Sequence, residues 1–250
     1  MKKKLLLIIS VIIIAACSSS RGSRKEAEVK PVEISVENAR YLTQKEGLPS
    51  NTITAIHETK YFVWIGTDKG LARYDKLTGE IEMFDRRNSV LPSNNVVSIV
   101  SDSIERVWIG CYGGGVVRIF RDAPWKVYDT TNELPSNLVT VLYVESEETG
   151  IKGENLWIGT KTGLVRYSAG RWFVYQTGPF SSILSPSDII NDDIRDVKSG
   201  KNYVWVGTEK GLGRFNGVSW RKYFDQGAYD LSKFTKIEDD KRWPFRTDEV

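Results

Sequence analysis

One histidine, His57, two cysteines, Cys17 and Cys111, and two methionines are all that these residue types contribute to 250 positions. A histidine-rich metal centre is therefore excluded by count. His57 has no nucleophile near it in sequence with which to form a catalytic pair, and a turn or sheet-edge position is expected for it. Acidic runs occur at Glu145-Ser146-Glu147-Glu148, Asp192-Asp193 and Glu238-Asp239-Asp240, but none has the alternating spacing and glycine of a calcium loop. They read as solvated loops. Gly113-Gly114-Gly115 lacks the lysine and helix start of a phosphate cradle. No metal and no cofactor is expected.

Long apolar runs are missing as well. The longest, residues 5–14, is interrupted only by Ser10 and follows Met1-Lys2-Lys3-Lys4. It is too short to span a hydrocarbon core, which takes about 20 residues, and it reads as the h-region of an export signal occupying residues 1–16. Cys17 directly after Ala15-Ala16 resembles a bacterial lipobox, which implies cleavage before Cys17 and lipidation of that residue. With Cys17 acylated, no disulfide to Cys111 is expected. Losing Lys2, Lys3 and Lys4 brings the formal charge of the side chains from +3 to neutral. The mature chain then has no basic excess to recommend nucleic acid as a partner. Residues 17–31 are polar, without apolar periodicity, and are expected to act as a flexible tether.

What the remainder has in abundance is self-similarity. Val63-Trp64-Ile65-Gly66-Thr67 running to Gly70-Leu71-Ala72-Arg73-Tyr74 returns at Val107-Trp108-Ile109-Gly110, at Leu156-Trp157-Ile158-Gly159-Thr160 and at Val204-Trp205-Val206-Gly207-Thr208. The tryptophans lie 44, 49 and 48 residues apart. Each copy is preceded by a turn and an apolar strand, beginning Leu48-Pro49-Ser50-Asn51, Leu91-Pro92-Ser93-Asn94, Leu134-Pro135-Ser136-Asn137 and, in degraded form, Ile189-Ile190-Asn191-Asp192. Each is followed by a pair spaced by three: Ile81 with Phe84, Trp125 with Tyr128, Trp172 with Tyr175, Trp220 with Tyr223. One unit therefore holds four short strands, and a period in the forties built on them signals a propeller or solenoid.

These motifs resemble the two-component regulator propeller repeat, from about Asn38 to Phe224. The resemblance implies an all-β chain of four-stranded antiparallel propeller blades, found mostly in periplasmic sensor portions of hybrid kinases, and it implies no catalytic residue. The propeller domain is expected over residues 32–250. Four repeats are recognisable. Tyr41 is in the phase of a fourth strand and Val250 in that of a first, so the strand phase allows a composite fifth blade built from residues 32–36, 38–43, 231–238 and 242–247. A two-residue type I′ turn is expected at Asn216-Gly217.

In a four-stranded meander the turn before the first strand and the turn between second and third share one end of the blade. That end carries residues that differ from copy to copy: Asp68 and Lys69, Tyr112, Lys161 and Thr162, Glu209 and Lys210. Loops on a rigid frame are where recognition sits, so these seven are the candidate ligand contacts. The recurring tryptophans, by contrast, are expected in the core. Cys111, in place of the motif's threonine, is expected to pack as a small buried residue. The functional expectation is a lipid-anchored, extracytoplasmic, non-enzymatic module that binds a glycan or an envelope protein. A sensor input fragment is the second reading, and a propeller lyase or hydrolase the third.

Overall fold

The computed structural model describes residues 41–145, 155–177, 189–200 and 202–223. The segments expected to form the export signal, the lipidated cysteine and the tether, and most of those assigned to a composite blade, lie outside these residues. The chain divides between Tyr41 and Leu42, and all the described strands belong to the unit from Leu42 onward. Among the described residues no helix is long and apolar enough to cross a membrane.

Among the described residues sixteen strands form four antiparallel sheets, each with its strands in sequence order. Blade one holds β1 (Ile53–Glu58), β2 (Phe62–Thr67), β3 (Gly70–Asp75) and β4 (Ile81–Phe84); blade two holds β5 (Val96–Ser101), β6 (Val107–Cys111), β7 (Gly115–Ile119) and β8 (Lys126–Tyr128). Blade three is β9 (Val139–Val144), β10 (Asn155–Thr160), β11 (Gly163–Ser168) and β12 (Arg171–Tyr175), and blade four is β13 (Ile194–Gly200), β14 (Tyr203–Thr208), β15 (Gly211–Phe215) and β16 (Trp220–Tyr223). In blades two to four the first strand packs against the first and second strands of the blade before it, so the blades stack in sequence order.

The motif residues build the seams between blades. Alternation along β2 puts Trp64 and Gly66 on the face toward the next blade and Val63 and Ile65 on the other. Glycine is required because the next blade comes so close. A Cβ on Gly66 would lie 2.6 Å from Val96, one on Gly110 3.0 Å from Val139, and one on Gly159 2.7 Å from Ile194. A spacing of three in the fourth strand sends its two aromatics to opposite faces, so each seam receives one from either side. Phe84 meets Trp125 at 4.9 Å, Tyr128 meets Trp172 at 4.7 Å and Tyr175 meets Trp220 at 5.5 Å between ring centroids. The arginine two residues after the motif's leucine lies over the tryptophan of its own blade, Arg118 on Trp108 and Arg166 on Trp157, adding a cation–π contact.

Two tryptophans are tied down further by buried carboxylates. Trp108 Nε1 donates to Asp102 at 3.1 Å and Trp157 Nε1 to Glu145 at 2.9 Å. Both acids directly follow the first strand of their blade. In blade one that position is Thr59, whose hydroxyl bonds Phe62 instead, and Trp64 Nε1 is buried without a partner.

The Leu-Pro-Ser-Asn turn closes each blade. Leu48, Leu91 and Leu134 are buried, and the serine hydroxyls accept from the amides of Thr52, Asn95 and Leu138. The asparagine side chains accept from Gln44, Arg86 and Thr130, clamping the segment that leads in. The altered fourth copy keeps every role: Ile189 is buried, Asn191 accepts from Asp193 N, and Asp192 accepts from Thr177 N at 2.6 Å.

Two expectations are corrected. Tyr41 to Thr43 form no strand; Thr43 instead caps a 3-10 turn, Gln44–Glu46, in a capping box with Glu46. Asn216-Gly217 is not a two-residue turn, because the Asn216 side chain accepts from both Val218 N and Ser219 N and so holds a four-residue loop between Phe215 and Trp220. Between a third and a fourth strand, a two-residue hairpin is found instead at Ala169-Gly170, with φ of 48° and 82° between the paired Ser168 and Arg171. Both values are positive, as a type I′ turn requires.

Candidate functional site

The end of the blades carrying the β2–β3, β6–β7, β10–β11 and β14–β15 turns also carries the Leu-Pro-Ser-Asn turns, as the meander requires. Thr162 Oγ1 donates to Pro135 O at 2.9 Å, and Gly70 sits against Pro49. Three of the four turns are made alike. Thr67, Thr160 and Thr208 each donate to the carbonyl three residues on, at 2.7 to 2.8 Å, and accept from the amide two residues on. The frame is therefore fixed by the threonine, and Asp68-Lys69, Lys161-Thr162 and Glu209-Lys210 stand on it.

Blade two departs. Cys111 cannot make the threonine's bonds, the turn gains a residue, and Cys111 pairs with Gly115 across Tyr112-Gly113-Gly114. Gly115 has a φ of 87°, and a Cβ there would be 2.2 Å from Tyr128 O, so only glycine fits. Burial pushes the Cys111 thiol up from 9.0 to about 12. A thiol held protonated in the fold loses proton-linked stability as pH rises from its unfolded value toward 12. Near neutrality Cys111 should resist an exposed-thiol reagent in the native state and label on unfolding, read as mass added to its peptide. Rapid native labelling would contradict its burial.

The turns meet across the seams, and each seam has its own chemistry. At the seam of blades two and three, Tyr112 bridges to Leu138, and Gly113 N and Gly115 N donate to Asn137 O at 2.9 and 3.1 Å. Tyr112 is 39% and Leu138 37% exposed, a paired apolar spot on a polar surface. At the seam of blades three and four the chemistry is ionic: Lys161 Nζ contacts Asp193 at 2.9 Å, and Arg195 reaches Asp193 at 2.9 Å and Glu209 at 3.4 Å. Lys161 and Glu209 thus take part in a network between blades, while Asp68, Lys69 and Lys210 are exposed. Leu138, Asp193 and Arg195 escaped the sequence reading. For Leu138 and Asp193 the signal was available: the position before each first strand reads Thr52, Asn95, Leu138 and Asp193, as variable as the turns themselves.

His57 is not in a turn but, as the other expected position has it, on a strand at the edge of its sheet. It is the fifth residue of β1, and its Nε2 bonds Ser101 Oγ of the next blade at 2.8 Å. Tyr143 and Ser199 repeat the contact between blades three and four at 2.5 Å. Partial burial lowers the His57 pKa, which favours the neutral ring. Asp192 and Asp193, one of the acidic runs, are spent on the turn clamp and the ion network.

Residues 90–113 match the family model of the two component regulator propeller. No curated protein matches the chain. Among solved structures, the extracellular domain of a protein described as a hybrid two component system of B. thetaiotaomicron is 27% identical, with a TM-score of 0.58 over 69% of this chain and 23% of that one. The extracellular domain of a one component system from the same organism is 18% identical, with a TM-score of 0.54 over 70% of this chain and 22% of its own. The chain thus spans under a quarter of either domain, and the second likeness is one of fold. Residues 90–113 match a two component regulator propeller repeat, the blades around them carry most of the same motif residues, and the chain folds as four-stranded propeller blades.

Proposed function

We propose that this chain is a non-enzymatic binding module of the sensory kind, displayed in the cell envelope and held to a membrane through a lipid on Cys17. The ligand is a glycan or an envelope protein, taken by the face that carries the second-to-third strand turns. The observation that carries this reading is the contrast within the repeat: one turn frame in three blades and a longer one in blade two, with an apolar pair at the seam of blades two and three and an ionic network at that of blades three and four. Likeness to the extracellular domain of a protein described as a hybrid two component system supports the sensory setting. In this reading Tyr112 and Leu138 form the apolar anchor, because tyrosine offers contact area and a polar tip at low entropic cost. Asp68, Lys69, Thr162 and Lys210 hydrogen-bond a polar ligand around it, and the Lys161–Asp193–Arg195–Glu209 network sets the charge at one margin.

The test is binding of the purified chain to an array of bacterial glycans and to envelope extracts, compared with Tyr112→Ala. The substitution should weaken binding by at least about 1 kcal/mol, as expected of a residue near the centre of an interface, and leave the unfolding midpoint in place. Unchanged affinity in Tyr112→Ala would move the site away from this face.

A further inference from the structure

The two ends of the blades are finished differently. Opposite the recognition turns lie the turns between first and second strands and those between third and fourth, brought together in blade one by Lys76 N, which donates to Tyr61 O at 3.0 Å. Large apolar side chains stand out from them. Leu77 is 93% and Val218 77% exposed, the two most exposed large apolar side chains among the described residues. They hold the same place, between the third and fourth strands of blades one and four. The same device holds them out: Asp75 accepts from Leu77 N and Thr78 N at 2.7 and 3.0 Å, and Asn216 from Val218 N and Ser219 N at 2.9 and 2.7 Å. Between first and second strands, Tyr61 of blade one is 56% and Ile104 of blade two 50% exposed. Charges beside these tips are paired within the chain, Lys76 with Glu58 and Arg106 with Asp102, and Lys60 Nζ lies 5.0 Å from the centre of the Tyr61 ring.

We infer that this end of the blades rests on a lipid bilayer, with Leu77, Val218, Tyr61 and Ile104 entering its headgroup boundary. A protein partner needs a continuous patch that excludes water at its centre, whereas these side chains stand on the turns of three blades, Leu77 and Val218 on the first and the last of the four. A bilayer takes separated apolar side chains one at a time. Tyrosine suits its boundary, having an apolar ring and a polar tip, and a neighbouring lysine lays its stem along apolar surface while its charge stays in water. Because the adjoining charges are already paired, the contact is apolar, and added salt, which screens charges, should not release it. The arrangement turns the second-to-third strand turns away from the membrane, toward what they recognise. The blades themselves make this contact, so it does not depend on the lipid proposed for Cys17.

Flotation with vesicles of phosphatidylethanolamine and phosphatidylglycerol tests this, using the chain from residue 17 onward with Cys17→Ser, which carries neither the apolar leader nor a lipid. The expected result is protein that rises with the vesicles at low and at high salt. Leu77→Ser combined with Val218→Ser adds no charge and should lower the partition coefficient at least about tenfold, since binding scales with the apolar area that enters the bilayer. Both sites are exposed in the chain, so the unfolding midpoint should stay in place. Val90→Ser is the control, at an exposed apolar site beside the Leu-Pro-Ser-Asn turn of blade two at the other end, and should float as the parent does. A parent that does not float, flotation abolished by salt, undiminished flotation of the double variant, or an equal loss in Val90→Ser would overturn the inference.

Discussion

Replacing Trp157 by alanine is expected to lower the free energy of unfolding by about 3 to 5 kcal/mol, a large part of the roughly 5 to 15 kcal/mol that typically holds a domain together. Trp157 is fully buried at the seam of blades three and four, 6.0 Å from the Tyr175 ring and 5.8 Å from that of Phe215. Truncation removes those contacts and the indole donor to Glu145 together. Phenylalanine separates the two losses. Trp157→Phe keeps most of the apolar surface but leaves a buried carboxylate short of a donor, a deficit of about 1 to 3 kcal/mol. Trp64→Phe should be milder, because Trp64 Nε1 has no acceptor to lose. Urea titrations followed by circular dichroism would rank the variants. Equal costs for Trp64→Phe and Trp157→Phe would remove the carboxylate from the account.

A single methyl group in the same seam should also be costly. Gly159→Ala puts a Cβ 2.7 Å from both Ile194 and Val141, two β-branched side chains that have few rotamers to retreat into. Overpacking of this kind costs about 1 to 3 kcal/mol, and here it acts by pushing blade four away from blade three. Gly170→Ala is the control, since nothing lies within 4 Å of a Cβ there and only the positive φ of 82° opposes it. The same titration should show the larger loss at Gly159. A larger loss at Gly170 would mean that the motif glycine serves backbone conformation rather than close approach.

Much of this architecture was legible because each repeat solves the same local problem. The spacing of Trp64, Gly66, Leu71 and Arg73 fixed which residues share a face, and the Leu-Pro-Ser-Asn turns fixed where each blade begins. The fourth copy looked degraded by identity but not by chemistry: isoleucine buries as leucine does, and Asn191 and Asp192 supply the acceptors of serine and asparagine. What stayed hidden depends on contacts between blades or on side chains competing for backbone amides. Asp102 and Glu145 resemble loop acids until the neighbouring tryptophan is placed above them. Asn216 looked like the first residue of a tight hairpin, and its side chain instead captured two amides and widened the loop. The candidate face was legible as a set of variable turn residues. Its partition into an apolar seam and an ionic seam was not, because Tyr112 meets Leu138, and Lys161 meets Asp193, only across blade boundaries.

The central claim is that the repeated aromatic and glycine residues are seam-builders and that recognition is left to the turns above them. Blades that touch only their neighbours should loosen locally when one seam is damaged. Native-state hydrogen exchange on Trp157→Ala measures this directly. The expected result is faster exchange in β9, β10, β13 and β14, with protection in β2 and β3 of blade one retained. Unchanged protection throughout β9 to β14 would contradict the account and make the tryptophans part of a ligand surface.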